Sequence, residues 1–371
     1  MAAYPLGVNL ISVRKINYSI RFIIQRFHPI ERSIFMTTKA TAEALNTLRE
    51  IAQFITTDQS TEHQIDALEK FIVLCQSAVE ITPDVCFSAF SGDTELTQGI
   101  AINPAAAAQC VKDYIRTIKF VNAVHHAITQ QHALHPGSTL KILYAGCGPF
   151  ATLLLPLLAL HCEKEISIHF LDIHEESLSS VQTLMQFFNF DQLRLHYHCD
   201  NACHFQAPDP FDIIVAETMQ KALEQEPQFM VTAQLADQLK PTGIFIPEEI
   251  FVSLALQDRE TLVFKNKSKP LLALSCQCPL FSKLNNAANQ NSLRLPLTQF
   301  HIPELYNPVQ QRFVLQTRIQ VLNDIWLYED ESDITLTVPA FSLDNALPNQ
   351  VWHAQYYYGS YPCIEFQHLS L

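Results

Sequence analysis

Two glutamates nine residues apart, Glu217 and Glu226, are the side chains here best suited to chemistry; they lie in AETMQKALEQEPQFM, with Glu224 between them. Two carboxylates converging on one site repel unless a cation is held there. A guanidinium satisfies both, because its planar fork offers five donors. A plainer role is also open. Glu224 and Glu226 would serve equally as first-turn acids of a helix over about 224–239, facing solvent and favoured by the helix dipole. Glu217 is less ambiguous, since it sits just past the apolar run FDIIVA and so at the carboxyl end of a strand.

A second group of residues suits binding. The run KILYAGCGPF breaks from an apolar strand into Gly146-Cys147-Gly148-Pro149, in a chain with only 8 glycines among 371 residues. Strand, Gly-x-Gly, then helix is how α/β proteins bring backbone close to a nucleotide-like ligand. Pro149 suits a first helical position, and Pro156 predicts a kink further along a helix over 150–162. Asp172 ends the next strand, placed either to accept both ribose hydroxyls or to cap the helix beginning near Glu175. Asp200 and Asn201 end the third strand, where they could read an adenine edge or simply form a turn. His196, His198, Cys199, Cys203 and His204 cluster nearby, but their spacing matches no usual zinc pairing, and no metal is expected.

The elements that must position these residues follow from periodicity. Ala44, Leu48, Ile51, Ala52 and Ile55 recur at helical spacing, as do Ile65, Leu68, Phe71, Ile72, Cys75 and Val79, which predicts two amphipathic helices over 40–80. A loop through Pro83 and Gly92 leads to a helix over about 105–131. Strands at 140–145, 167–172, 193–199 and 211–217 then alternate with helices at 150–162, 175–189 and 224–239. That alternation predicts an α/β fold with a doubly wound parallel sheet and ligands at the carboxyl ends of its strands. From about 243 the pattern turns to strands: IFIPEEIFVSLAL, FVLQTRIQVL, IWLY, DITLTV and IEFQHL, interrupted by a polar Asn/Gln-rich stretch at 284–291. The expected division is a basic, poorly packed extension at 1–35, a helical region at 36–104, a ligand-binding domain at 105–244 and a β-rich domain at 245–371.

Composition narrows the partners. The net charge of −13 argues against nonspecific nucleic-acid binding and suits a cationic substrate. No apolar run approaches the ~20 residues of a membrane-spanning helix. Ten irregularly spaced cysteines without a secretory signal fit reduced thiols in a cytoplasmic protein. Residues 1–35 carry five basic residues against one acid, giving +4 where the remainder is −17. They read as a targeting segment or as translated upstream sequence, with Met36 opening the protein proper.

Through the glycine loop, Asp172, Asp200 and Asn201, nothing separates a nicotinamide dehydrogenase from a methyltransferase. The glutamate segment does. ETMQKALEQE resembles the double-glutamate loop of the protein arginine N-methyltransferases, within the class I S-adenosylmethionine-dependent methyltransferases, with the same nine-residue spacing. LADQLKPTGIFIPEE is similar to that family's following helix, Leu-Lys-Pro-x-Gly turn and strand, and KDYIRTIKF resembles its Asp-x-x-Arg-Thr helix. The likeness covers roughly 110–255. It implies a Rossmann-like domain binding S-adenosyl-L-methionine through Arg116, Gly146, Gly148, Asp172, Asp200 and Asn201. Arg116 would meet the cofactor's methionyl carboxylate; the alternative is a surface pair with Asp113 on the same helix. Glu217 and Glu226 would orient a guanidino or amino group of a protein or small-molecule acceptor. The β-rich, barrel-like domain would serve the acceptor and a homodimer. Departures are plain: Tyr144 stands where the family carries an acid, Phe150 replaces a third glycine, and the Thr-His-Trp loop has no counterpart around Trp326 or Trp352. The rival readings are a metabolite methyltransferase and a catalytically silent scaffold that keeps the fold.

Overall fold

A computed structural model describes residues 38–57, 60–81, 92–161, 165–265, 268–284 and 292–369, so the basic stretch 1–35 lies outside the described residues. The N-terminal helices are α1, Thr38–Thr57, and α2, Thr61–Ala78. Their expected stripes face inward: Leu48, Ile51, Ile55, Leu68, Phe71 and Cys75 are buried in the main core. A short hairpin follows, β1 (Thr94–Leu96) and β2 (Gly99–Ala101), where sequence periodicity had indicated only a loop.

The expected long helix over 105–131 is broken. Asn103 caps α3, Pro104–Gln109, by accepting from the Ala106 N–H, a 3-10 turn spans Cys110–Lys112, and α4 runs Tyr114–Leu134. The break falls at Asp113, whose ψ of 76° is non-helical. Its carboxylate accepts from Ser332 Oγ (2.6 Å) and the Asp333 N–H (3.0 Å), so a distant part of the chain stabilises the interruption.

The central sheet contains β3 (Leu140–Ala145), β4 (Ile166–Asp172), β5 (Arg194–Cys199), β6 (Phe211–Ala216) and β7 (Leu239–Ile246). Its order is β5-β4-β3-β6-β7, all parallel. Side chains of β3, β4 and β6 are buried on both faces: Ile142, Tyr144, Ile168 and Ile213 on one, Leu143, Ala145, Leu171 and Ile214 on the other. Burial on both faces is why these strands read as continuous apolar runs. The order reverses at β3, which opens a crevice at the carboxyl ends of β3 and β6.

Three helices complete this part: α5 (Leu155–His161), α6 (Glu175–Phe187) and α7 (Gln228–Ala236). The helix expected from 150 starts at Leu155, after a turn in which Ala151 takes φ 44°. Pro156 therefore lies in the first turn, where its missing N–H has no helical partner to lose, and the expected kink does not arise. The helix expected from 224 likewise starts later, at Gln228, leaving Glu224 and Glu226 in a loop.

The remaining strands are β8 (Glu249–Asp258), β9 (Lys269–Leu274), β10 (Leu293–His301), β11 (Gln311–Leu322), β12 (Ile325–Leu327), β13 (Val338–Pro339), β14 (Val351–Tyr358) and β15 (Cys363–His368). They form antiparallel sheets of order β12-β11-β8-β9, with β13 also on β11, and β10-β14-β15. Among the described strands no hydrogen-bonded pairing joins these two sheets into a closed barrel. DITLTV, expected as a strand, begins as a 3-10 turn over Asp333–Thr335, and only its last residue, Val338, enters a strand. Ser332 and Thr335 exchange capping bonds there, satisfying locally the N–H groups a strand would have paired. The polar stretch lies outside the described residues beyond Leu284.

Candidate active site

At the end of β3 the backbone turns sharply. Gly146 has φ 70°, and a Cβ there would lie 2.7 Å from both Glu217 O and Thr218 Cγ2. A left-handed conformation and a close neighbour both exclude a side chain. The Gly148 N–H donates to Asp172 Oδ2 (2.9 Å) and the His174 N–H to Asp172 Oδ1 (2.9 Å). Asp172 thus ties the glycine loop to the turn after β4, and it makes no side-chain cap for α6, whose N-cap is His174. Each of its oxygens keeps a further acceptor site, and the residue lines the cleft.

Asp200 and Asn201 act first as turn formers. Asp200 Oδ1 accepts from the Asn201 N–H (2.7 Å) and Asn201 Oδ1 from the Cys203 N–H (2.9 Å). Both still line the same cleft. The neighbouring histidines and cysteines point to different places. His196 and His198 stack against His169 of β4, with His169 Nδ1 3.0 Å from His198 Nε2. Cys203 is buried among apolar side chains, and His204 Nε2 lies 3.0 Å from Gln98 Nε2. Among the described residues no group of three or more His, Cys, Asp or Glu could hold a metal ion. Burial, with His196 and His198 adding to it, pushes His169 down to about 4.

The other end of the cleft is built from charge. Glu217 follows β6, its N–H donating to Ala145 O (3.2 Å), so it lies beside the glycine loop. Arg116, in the first turn of α4, is buried and forms an ion pair with Glu217. A surface pair with Asp113 is ruled out by this burial and by the bonds Asp113 makes to Ser332 and Asp333. Glu226 is also buried and turned into the cleft, not toward solvent. Burial pushes its carboxyl up to about 7, while Arg116 and a hydrogen bond from Gln220 oppose that rise.

The segment between the glutamates is strained. Ala222, Leu223 and Gln225 all take positive φ, at 56°, 56° and 65°. Each non-glycine residue in that region is unfavourable by about 1–2 kcal/mol, so the surroundings must hold it. They do so from several sides. The Ala222 N–H donates to Thr317 Oγ1 (2.8 Å), Tyr356 Oη to Leu223 O (3.0 Å), the Gln225 N–H to Pro362 O (2.9 Å) and the Ile100 N–H to Gln225 O (2.8 Å). Three of these four partners come from the β-rich part of the chain.

The cleft therefore gathers Arg116, Gly146, Gly148, Asp172, Asp200, Asn201, Glu217 and Glu226 along one wall system. Met219, the Met two positions after Glu217 in the family-like loop, lines it too, as do Cys110 and Gln220, which sequence reasoning did not single out. Gln220 could have been noticed only as a polar residue between the two glutamates. Tyr144 also lines the cleft; it is buried, with its phenol pushed up by burial. Trp326 stacks on Phe251, and Trp352 donates from Nε1 to Gln350 Oε1 (3.2 Å); neither lines the cleft.

No protein-family model matches the chain, and no curated protein matches it. Among solved structures it is similar to the Trypanosoma brucei PRMT1 enzyme–prozyme heterotetrameric complex with AdoHcy, with a TM-score of 0.42 and 10% identity over 70% of this chain and 96% of that one. It is also similar to Arabidopsis thaliana protein arginine methyltransferase 10, with a TM-score of 0.43 and 11% identity over 68% of this chain and 87% of that one.

Proposed function

We propose that this chain is an S-adenosyl-L-methionine-dependent N-methyltransferase whose acceptor is a guanidino group. The observation that carries the reading is internal to the cleft: Glu217 pairs with the buried guanidinium of Arg116, and Glu226, buried in the same cleft, lies within reach of that charge. A cleft that already pairs one carboxylate with a guanidinium, and holds a second carboxyl beside it, has the chemistry to take another guanidinium.

The residues present fit the cofactor. Gly146 and Gly148 leave backbone bare at the carboxyl end of β3, and Asp172 keeps acceptor capacity toward the cleft for ribose hydroxyls. Asp200 and Asn201 would flank an adenine, and Arg116 would hold a carboxylate. When bound, S-adenosylmethionine supplies a methyl group already activated on a sulfonium centre. The chain's own contribution is then alignment. Glu217 orients the acceptor guanidinium and concentrates electron density on one nitrogen. Glu226, whose carboxyl burial raises to about 7, would in its ionised form take up the proton that the substituted nitrogen releases. Region 245–371 would form the acceptor side and a homodimer contact, and the protein would work in the cytoplasm.

A small-molecule acceptor is the second reading, favoured by Trp326 and Trp352 both standing clear of the cleft. Labelled-methyl transfer to lysate proteins and to a metabolite fraction separates the two. Calorimetry with S-adenosylmethionine and with nicotinamide cofactors tests the common premise. We expect micromolar-range binding of the first and none of the second. Glu217→Gln should abolish transfer with cofactor affinity nearly intact. Tight nicotinamide binding, or unimpaired transfer in that variant, would overturn the proposal.

A further inference from the structure

The hairpin β1–β2 lies over the carboxyl ends of three strands at once. Thr94 Oγ1 is 3.1 Å from His174 Nε2, in the turn after β4. Gln98 Nε2 is 3.0 Å from His204 Nε2, in the loop after β5. The Ile100 N–H donates to Gln225 O (2.8 Å), in the loop after β6. Leu96, Ile100 and Ala101 line the cleft beneath these ties.

The third tie is the closest. Gly99 has φ 144°, and a Cβ there would lie 2.6 Å from Gln225 O and 3.0 Å from Pro227 N. Gln225 and Pro227 are the neighbours of Glu226 on either side. Hairpin and glutamate loop therefore meet backbone to backbone around that residue, with no space for a side chain between them. The Gln225 peptide, itself left-handed, is gripped on its other side through Pro362 O. Strain of this kind persists only where surrounding contacts over-determine it.

We propose that the hairpin is the positioning element of the acceptor site. Gly99 and Ile100 set the direction of the Glu226 carboxylate, while Thr94 and Gln98 hold the hairpin closed over the loops after β4 and β5. The proposal rests on Glu226 being an acceptor-binding carboxylate. Its Gly99 and Ile100 are positioning residues, acting through Gln225, not groups that touch the acceptor.

The test uses the full chain with Gly99→Ala. Amide hydrogen exchange over residues 224–228 is measured by mass spectrometry, together with binding of ethylguanidinium in the presence of S-adenosylhomocysteine. Exchange over that segment should rise at least tenfold and ethylguanidinium affinity should fall at least fivefold. Affinity for S-adenosylhomocysteine alone should change less than twofold, a split that general loss of stability would not produce. Unchanged exchange over 224–228 overturns the positioning role and leaves the guanidino reading standing. Failure of the wild-type chain to bind ethylguanidinium takes down that reading, and this proposal with it. Should Gly99→Ala not fold, the double variant Thr94→Val, Gln98→Leu keeps the backbone intact. It should speed exchange of residues 94–101 and release of S-adenosylhomocysteine severalfold; wild-type values for both would overturn the closure.

Discussion

The glycine loop after β3 and the glutamate loop after β6 reach the same cleft by different physics. The first presents bare backbone and is tied by one carboxylate, Asp172, which accepts from the loop's Gly148 N–H and from the His174 N–H of the turn after β4. The second presents two acidic side chains, Glu217 paired with Arg116 and Glu226 buried, on left-handed backbone held by partners from elsewhere in the chain. Backbone hydrogen bonds to a carboxylate tolerate small movements. A buried charge does not, because removing its counter-charge exposes the whole desolvation penalty. The two ends should therefore respond to perturbation by different amounts and with different dependence on pH.

The largest effect is expected at the charged end. Arg116→Ala leaves the largely buried Glu217 without its paired cation and should destabilise the fold by about 3–5 kcal/mol, the range for breaking a buried pair from one side. Urea denaturation reads this directly. A loss below about 1 kcal/mol would mean the pair is no stronger than a surface one and that the two ends do not differ in the way described.

The pH response should separate the charged end from the sheet face that carries His169. Glu226 ionises at about 7 in the folded chain against an ordinary 4.5, so the native state holds a proton that the unfolded state has lost. Its contribution falls as pH rises from 4.5 to about 7, by about 3 kcal/mol in order of magnitude. His169 does the reverse. Its folded value of about 4 lies below the ordinary 6.5, so its contribution is present above 6.5 and is lost as pH falls toward 4. The two slopes oppose each other between about 4.5 and 6.5. Glu226→Gln should unmask a stability that climbs with pH there, whereas His169→Asn should unmask one that declines. Parallel pH profiles for the two variants would contradict both assignments.

The backbone end should give smaller effects. Asp172→Ala removes the acceptor for Gly148 and His174 and should weaken S-adenosylmethionine binding by about 1.5–3 kcal/mol, the scale of hydrogen bonds to a charged group. Unchanged affinity in calorimetry would confine Asp172 to structure. Gly146→Ala forces a Cβ toward Glu217 O at a left-handed position and should lower stability by about 1–3 kcal/mol, the range for such strain. A neutral result would show that the two loops can move apart at little expense.

Much of the scaffold is legible in the residues. Strands β3, β4, β5 and β6 fall within a residue or so of their apolar runs, because burial on one or both faces writes directly into composition. Helices α1 and α2 follow their stripes for the same reason. Local signals fail where a distant partner competes with them. Asp113 interrupts a helical pattern because Ser332 and Asp333 bond its carboxylate. Glu224 and Glu226 read as first-turn acids, yet α7 begins beyond them, since Thr317, Tyr356 and Pro362 draw the preceding backbone into another conformation. The β1–β2 hairpin has three residues per strand, too short for alternation to register.

Sequence alone determined the parallel sheet, the glycine turn at its centre and the placing of Glu217 at a strand end. These depend on which residues avoid water and which backbone angles they allow, both properties of short stretches. Tertiary structure alone decided that Glu226 turns inward, that Arg116 lies against Glu217, and that the hairpin ties three loops together. Each of those depends on desolvation and charge pairing between groups far apart in the chain, and no local pattern specifies a partner that only folding brings near.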